Sequence, residues 1–275
     1  MTEFWPELVA ALGGVVLGFI GTLIGAGGGF LLVPILVFLE PQWSTEIVTA
    51  FSLAVVAANA STGALSYWLQ KRVDVRSFVI FALAATPGSI AGAYASAFVP
   101  RRIFDPTFGA VLILIAVWLF LRPSRLNSKR AGAGNTSRQL VDAAGNQHAW
   151  SFDAATGIAG SALAGFVSSL LGIGGGIIHV PLLVTLLNFP EHIATATSHA
   201  VLAVTAIAGA LVHAFRGDYR TDGPLVLACC VGAIAGAPLG ARVSVHVPGP
   251  LILRILAIGL AFVGLRLIFS AIVHS

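Results

Sequence analysis

The chain has 275 residues, 57% of them apolar and only 9% charged; an average soluble protein carries about 25% charged residues. This composition excludes an ordinary soluble domain and predicts an all-α polytopic membrane protein set in a lipid bilayer. The net charge of +4 sits in short loops and one connecting stretch, as in the cytoplasmic loops of membrane proteins, so it does not point to nucleic acid.

The start, Met1 to Glu7, is acidic and lacks a basic n-region, so no removable signal peptide is expected. The first apolar segment, 8–39, contains Gly25-Ala26-Gly27-Gly28-Gly29-Phe30 and then Val33-Pro34. As one straight helix it would be about 50 Å long, against a hydrocarbon core of roughly 30 Å. Central glycines cost roughly 1 kcal/mol each and a proline about 3, so the segment should break at the glycines. Apolar segments follow at 46–69, 77–99 and 103–121.

Residues 122–151 hold Arg122, Arg125, Lys129, Arg130 and Arg138 among Gly, Ser, Asn and Gln, without apolar periodicity. They read as a basic, flexible, cytoplasmic linker. Beyond it lie apolar segments 154–189, 193–215, 223–245 and 250–273. Cys229 and Cys230, adjacent within an apolar run, point in different directions on a helix and read as packing residues.

The two halves repeat one unit. Gly18-Phe19 through Val33-Pro34 aligns with Gly165-Phe166 through Val180-Pro181. Thr49, Ser52 and Gly63 match Thr195, Ser198 and Gly209, and Arg72 and Asp74 match Arg216 and Asp218. The expected organisation is a first transmembrane repeat at 1–121, the linker at 122–151 and a second repeat at 152–275. Each repeat has about four segments, the first broken at its Gly-rich motif. If the broken segment still crosses, the repeats are parallel; if it turns back, they are inverted. With the linker inside, a single crossing leaves only Arg101, Arg102 and Arg242 outside, whereas turning back moves Arg216 and Arg220 out and Arg242 in. The count favours a single crossing by a small margin.

Gly14/Gly18, Gly21/Gly25, Gly88/Gly92 and Gly232/Gly236/Gly240 are small-residue pairs that suit close helix packing. Gly27, Gly28 and Gly29, with Gly174, Gly175 and Gly176, exceed what packing needs. Free N–H groups at such breaks, at the positive end of a half-helix, bind anions. Thr49 with Ser52, and Thr195 with Ser198, add hydroxyls three residues apart on one helix face, although such hydroxyls often only bond their own helix. His179 and His199 are candidates for proton coupling, and His213, near a helix end, reads as interfacial. Asp74 and Asp218, in equivalent loops beside Arg72 and Arg216, read as structural ion pairs or caps. The scarcity of acidic residues at depth disfavours a cation carrier.

The glycine runs fail both the dinucleotide fingerprint and the Walker A pattern, and no catalytic or Cys/His metal signature is present. No enzyme activity and no cofactor are expected. From these residues a secondary transporter, an anion channel and a non-transporting membrane subunit remain open, and an oligomer is compatible with each.

The Gly18–Phe30 run with Val33-Pro34, its copy from Gly165 to Pro181, Thr49-Ala-Phe-Ser52 and Thr195-Ala-Thr-Ser198 resemble the sulfite exporter TauE/SafE family. The resemblance covers both halves. It implies a carrier of the bacterial inner membrane, often an exporter, for sulfite, an organosulfonate or a related small organic acid.

Overall fold

The computed structural model describes residues 5–121, 134–219 and 223–273, with side chains as far as 269. The chain is almost entirely helical. Its first half contains α1 (Trp5–Ile24), α2 (Gly29–Leu39), α3 (Thr45–Leu69), α4 (Val75–Ala95), a 3-10 turn (Ser96–Phe98) and α5 (Arg101–Leu121). Strands β1 (Thr136–Val141) and β2 (Gln147–Phe152) follow. The second half contains α6 (Ala154–Leu170), α7 (Gly176–Thr185), α8 (Glu191–Arg216), α9 (Gly223–Ser244) and α10 (Gly249–Val273). Among the described residues seven helices are long and apolar enough to cross a membrane: α1, α3, α4 with its 3-10 turn, α5, α8, α9 and α10. The order helix, break, short helix, three long helices occurs twice, and so do the packing partners: α1 lies on α9 as α6 lies on α4, and α3 contacts α8 along the middle.

Both long first segments break at their glycines, between α1 and α2 and between α6 and α7. Gly25, Gly27 and Gly28 have φ of 80°, 78° and 83°, and Gly172, Gly174 and Gly175 have 71°, 76° and 112°. Side-chain-bearing residues rarely adopt this left-handed backbone, which is why the breaks are spelled in glycine. The chain does not continue across. A Cβ built on Gly28 would lie 2.8 Å from the carbonyl oxygen of Leu17, so α2 starts beside an earlier turn of α1 and runs back.

The direction of each half follows from the helix contacts. Ala11, Val15 and Phe19 of α1 meet Gly232, Gly236 and Gly240 of α9 in the same order, so α1 and α9 are parallel. Ala162 and Phe166 of α6 meet Gly88 and Gly92 of α4, likewise parallel. Arg72, just before α4, donates to the Ser244 hydroxyl at the end of α9 (3.1 Å), so α4 and α9 are antiparallel. Hence α1 and α6 enter from opposite ends. This overturns the single-crossing arrangement that the charge count favoured: each first segment turns back, and the halves are inverted. The count misled because few loop charges differ between the two cases, whereas the turn is set by backbone geometry.

Part of the expected flexible linker has regular structure. Residues 122–133 lie outside the described residues, but β1 and β2 form an antiparallel hairpin with Thr136 opposite Phe152. It docks on the end of the bundle where α3 meets α4. Trp150 and Phe152 stack on Phe189 with ring centroids 4.9 and 5.2 Å away, and the Ala143 N–H donates to the Gln70 carbonyl (3.1 Å). Arg138 reaches Asp74 (3.5 Å). Of the two readings of Asp74 beside Arg72, ion pair or cap, the cap is the one that forms. Arg72 donates instead to Gln70, Ser244 and the His192 carbonyl, while Asp74 caps α4 through Ser77.

Two outcomes follow from these contacts. A Cβ on Gly236 would overlap the Val15 carbonyl, whereas one on Gly13 meets nothing within 4 Å. Gly236→Val should destabilise the protein by about 2 kcal/mol or more, read as a fall in melting temperature in detergent, while Gly13→Val should leave it unchanged or raise it. In the hairpin turn, Asp142 accepts from Ala144, Asn146 and His148. Desolvation raises its pKa, but these hydrogen bonds together outweigh it and lower the pKa to about 2. A depressed carboxylate adds stability above its unfolded pKa of about 3.9 and loses it as pH falls toward the folded value. Amide exchange in the hairpin should therefore speed up between pH of about 4 and 2, and Asp142→Asn should flatten that dependence.

Candidate functional site

The two breaks meet at the centre of the molecule. Gly176 lies against the Gly25 carbonyl and Ala26, and a Cβ on Gly29 would come 3.0 Å from the Gly172 carbonyl. Each break is also cradled by a long helix of the other half. Gly25 packs on Thr195 of α8, and Gly172 on Thr49 of α3. Val56 of α3 touches Gly27, Gly29 and Gly174, and Leu202 of α8 touches Gly27 and Gly174. Thr49, Ser52 and Val56, like Thr195, Ser198 and Leu202, share one side of their helices. The structure thus brings together Gly27, Gly28, Gly29, Gly174, Gly175, Gly176, Thr49, Ser52, Thr195 and Ser198.

Both breaks present backbone donors. The Gly21 carbonyl takes the N–H groups of Ala26 (2.9 Å) and Gly27 (3.1 Å), and the Ser168 carbonyl takes those of Ile173 (2.9 Å) and Gly174 (3.3 Å). The Gly28 carbonyl then accepts from Leu31 and Leu32, as Gly175 does from Ile178 and His179. Among the described residues, no acceptor meets the N–H groups of Gly28, Gly29 and Phe30, or of Gly175, Gly176 and Ile177. These are the unpaired first-turn donors of α2 and α7, at the positive ends of their dipoles.

The four hydroxyls divide into two kinds. Thr49 donates to the Glu46 carbonyl (3.0 Å) and Thr195 to the Glu191 carbonyl (2.8 Å), so their protons are spent within their own helices. Ser52 and Ser198 are fully buried and their hydroxyls have no partner among the described residues. An unpaired buried donor costs about 1–3 kcal/mol, which is tolerated where something transient satisfies it.

The histidines do not converge. His179 bonds the Ser161 hydroxyl (2.9 Å) and stands edge-on to Phe81, among aromatic residues on the far side of α7. His199 lies next to the breaks, 3.3 Å from the Thr22 hydroxyl. Thr22 in turn donates to Asn59 (2.8 Å), and the Tyr67 hydroxyl donates to the Thr22 carbonyl (2.6 Å). Sequence reasoning missed Thr22 and Tyr67 as members of this cluster, although Thr22 is one of few polar side chains in the first apolar segment. His213 lies in the last turn of α8, where its side chain is wholly buried and bonded to Asp218 (2.7 Å). Arg216 pairs with the same carboxylate (3.6 Å), as expected. Among the described residues no group of three His, Cys, Asp or Glu could hold a metal ion, and no carboxylate adjoins the breaks.

The description "Sulfite exporter TauE/SafE" matches residues 10–267. The chain is similar to "Probable membrane transporter protein YunE" of Bacillus subtilis, 33% identical over 94% of this chain and 96% of that protein. It is 26% identical to a "Probable membrane transporter protein" of Haemophilus influenzae, over 78% of this chain and 75% of that one. A "Probable membrane transporter protein" of Methanocaldococcus jannaschii is 24% identical over 84% of each chain. No solved structure matches the chain.

The hydrogen-bonding pattern makes a direct comparison available. Thr22→Val leaves Asn59 and His199 without their partner and should cost about 1–3 kcal/mol. Ser52→Ala and Ser198→Ala remove hydroxyls that bond nothing and should be neutral or stabilising in the same melting assay without added anion.

Proposed function

Since the chain belongs to the sulfite exporter TauE/SafE family of membrane transporters, we propose that it is a secondary transporter of a small sulfur-containing anion, sulfite or an organosulfonate. The observation that carries this reading is the pair of half-helix N-termini, α2 and α7, that abut at the centre with six unpaired N–H groups between them. Helix N-termini favour negative charge, and no described carboxylate lies near them to compete. Ser52 and Ser198 supply hydroxyls to the anion's oxygens, while Thr49 and Thr195 hold their own helices. His199, next to Ser198 and bonded to Thr22, is better placed than His179 to carry a coupling proton.

The inverted halves suit alternating access, in which one half rocks against the other around a shared central site. Lys71, Arg72, Arg76, Arg138 and Arg242 lie at the hairpin end and Arg101, Arg102 and Arg216 at the other, which supports a cytoplasmic hairpin in a bacterial inner membrane. We read the direction as export on the wording of the family description alone.

Purified protein in liposomes should move sulfite with saturation. Ser52→Ala and Ser198→Ala should each raise the half-saturating concentration about tenfold or more, since a hydrogen bond to a charged group is worth about 1.5–3 kcal/mol. Failure of the wild type to move sulfite, sulfoacetate or taurine would contradict the cargo. Linear, unsaturable flux would indicate a channel instead.

A further inference from the structure

Building on the anion-transporter reading, we propose that the two breaks are not equivalent and that the anion seats on the second, held by the N–H groups of Gly175, Gly176 and Ile177 and the hydroxyl of Ser168. The backbones of the two breaks are alike. The carbonyl of Ser168 closes the second turn by accepting from Ile173 and Gly174, as the carbonyl of Gly21 closes the first by accepting from Ala26 and Gly27. Gly21 is the residue aligned with Ser168, so the fold of the break does not require a side chain at this position. The serine is there nonetheless. It is fully buried, and its hydroxyl has no partner among the described residues. A buried donor left unpaired is a cost that a bound acceptor removes.

The space beside the two breaks differs in the same sense. A Cβ built on Gly175 would meet only Ser168 Cβ at 3.7 Å, Ser168 Oγ at 3.8 Å and Leu202 Cδ1 at 3.9 Å, ordinary contact distances. A Cβ on Gly28, its counterpart, would lie 2.8 Å from the Leu17 carbonyl oxygen, and Gly21 is pressed against the backbone of Gly27 and Gly28. The first break is closed by α1 and offers no side-chain donor. The second would accept a Cβ at Gly175 without a clash, with the Ser168 hydroxyl 3.8 Å from it. Donors from one helix N-terminus and one hydroxyl suit a compact oxyanion with several acceptor oxygens on one centre, such as sulfite or the head of a sulfonate. The first break then serves mainly as the packing surface that Gly176 rests on.

The test compares wild type, Ser168→Ala and Ser168→Gly with sulfite as the probe. The glycine variant copies the residue found at the equivalent place in the first break, so its fold is already represented in this molecule. Without sulfite, Ser168→Ala should melt at or above the wild-type temperature, because the lost hydroxyl bonds nothing, and Ser168→Gly slightly below Ser168→Ala, because a glycine inside α6 costs helix stability. The sulfite-induced rise in melting temperature should shrink, since that rise reports affinity. Half-saturation of sulfite transport in liposomes should rise about tenfold or more. Wild-type half-saturation in either variant, with wild-type transport intact, would overturn the Ser168 site and leave the transporter reading standing. Absence of sulfite transport and of a sulfite-induced shift in the wild type would instead overturn the cargo on which this site rests.

Discussion

A backbone that leaves its helix inside an apolar medium must have its polar groups covered by protein, by water or by a ligand. This constraint shapes the molecule. The chain breaks twice at depth, and at each break one carbonyl, of Gly21 or Ser168, takes the N–H groups of the turn. Left-handed glycines make the reversal without strain. Each break is then shielded by the other and by a long helix from the opposite half, through Thr195 on Gly25 and Thr49 on Gly172. Neither half could shelter its own break alone. The close helix pairs around them, α1 on α9 and α4 on α6, rest on glycines facing a neighbouring backbone, which in lipid replaces the hydrophobic drive that packs soluble cores. What remains without an acceptor among the described residues is a first turn of donors on α2 and on α7, the feature on which the proposed anion site rests.

Much of this was legible in the sequence, for stated reasons. Hydropathy and length fix the apolar segments, and glycine runs followed by a proline fix where the first segment of each half breaks. The helix-packing glycines were readable too: Gly14, Gly18, Gly88, Gly92 and the Gly232–Gly236–Gly240 stripe all face a neighbouring helix, whereas Gly21 and Gly25 belong to the break itself. The direction taken after the break was not legible. A segment that crosses and one that returns have the same composition, and the difference lies in φ angles at three glycines. The hairpin was hidden by the basic, polar surroundings of its strands; Trp150 and Phe152 are buried only because Phe189 and Phe81 are there to receive them. The bond between His213 and Asp218 was hidden for a similar reason. A left-handed cap at Gly217, φ 81°, swings Asp218 back onto the imidazole, and spacing along the chain does not show that fold.

The approximate symmetry of the two halves also sharpens what differs between them. Thr49 with Thr195 and Ser52 with Ser198 are paired positions that carry the same residue type in both halves. Gly21 against Ser168 and Leu53 against His199 are paired positions where the residue type differs. His199 reaches across to Thr22 in α1 of the first half, so any proton it takes is felt by the helix that precedes the opposite break.

The most direct test of the central claim is to locate a heavy oxyanion in the protein. Selenite is a close structural analogue of sulfite, and its selenium can be placed by anomalous diffraction from soaked crystals. The account predicts a selenium site at the N-terminus of α7, within hydrogen-bonding reach of the Gly175, Gly176 and Ile177 amides and the Ser168 hydroxyl. Selenium bound only at a loop or helix end outside the central breaks, in protein that transports selenite, would contradict it.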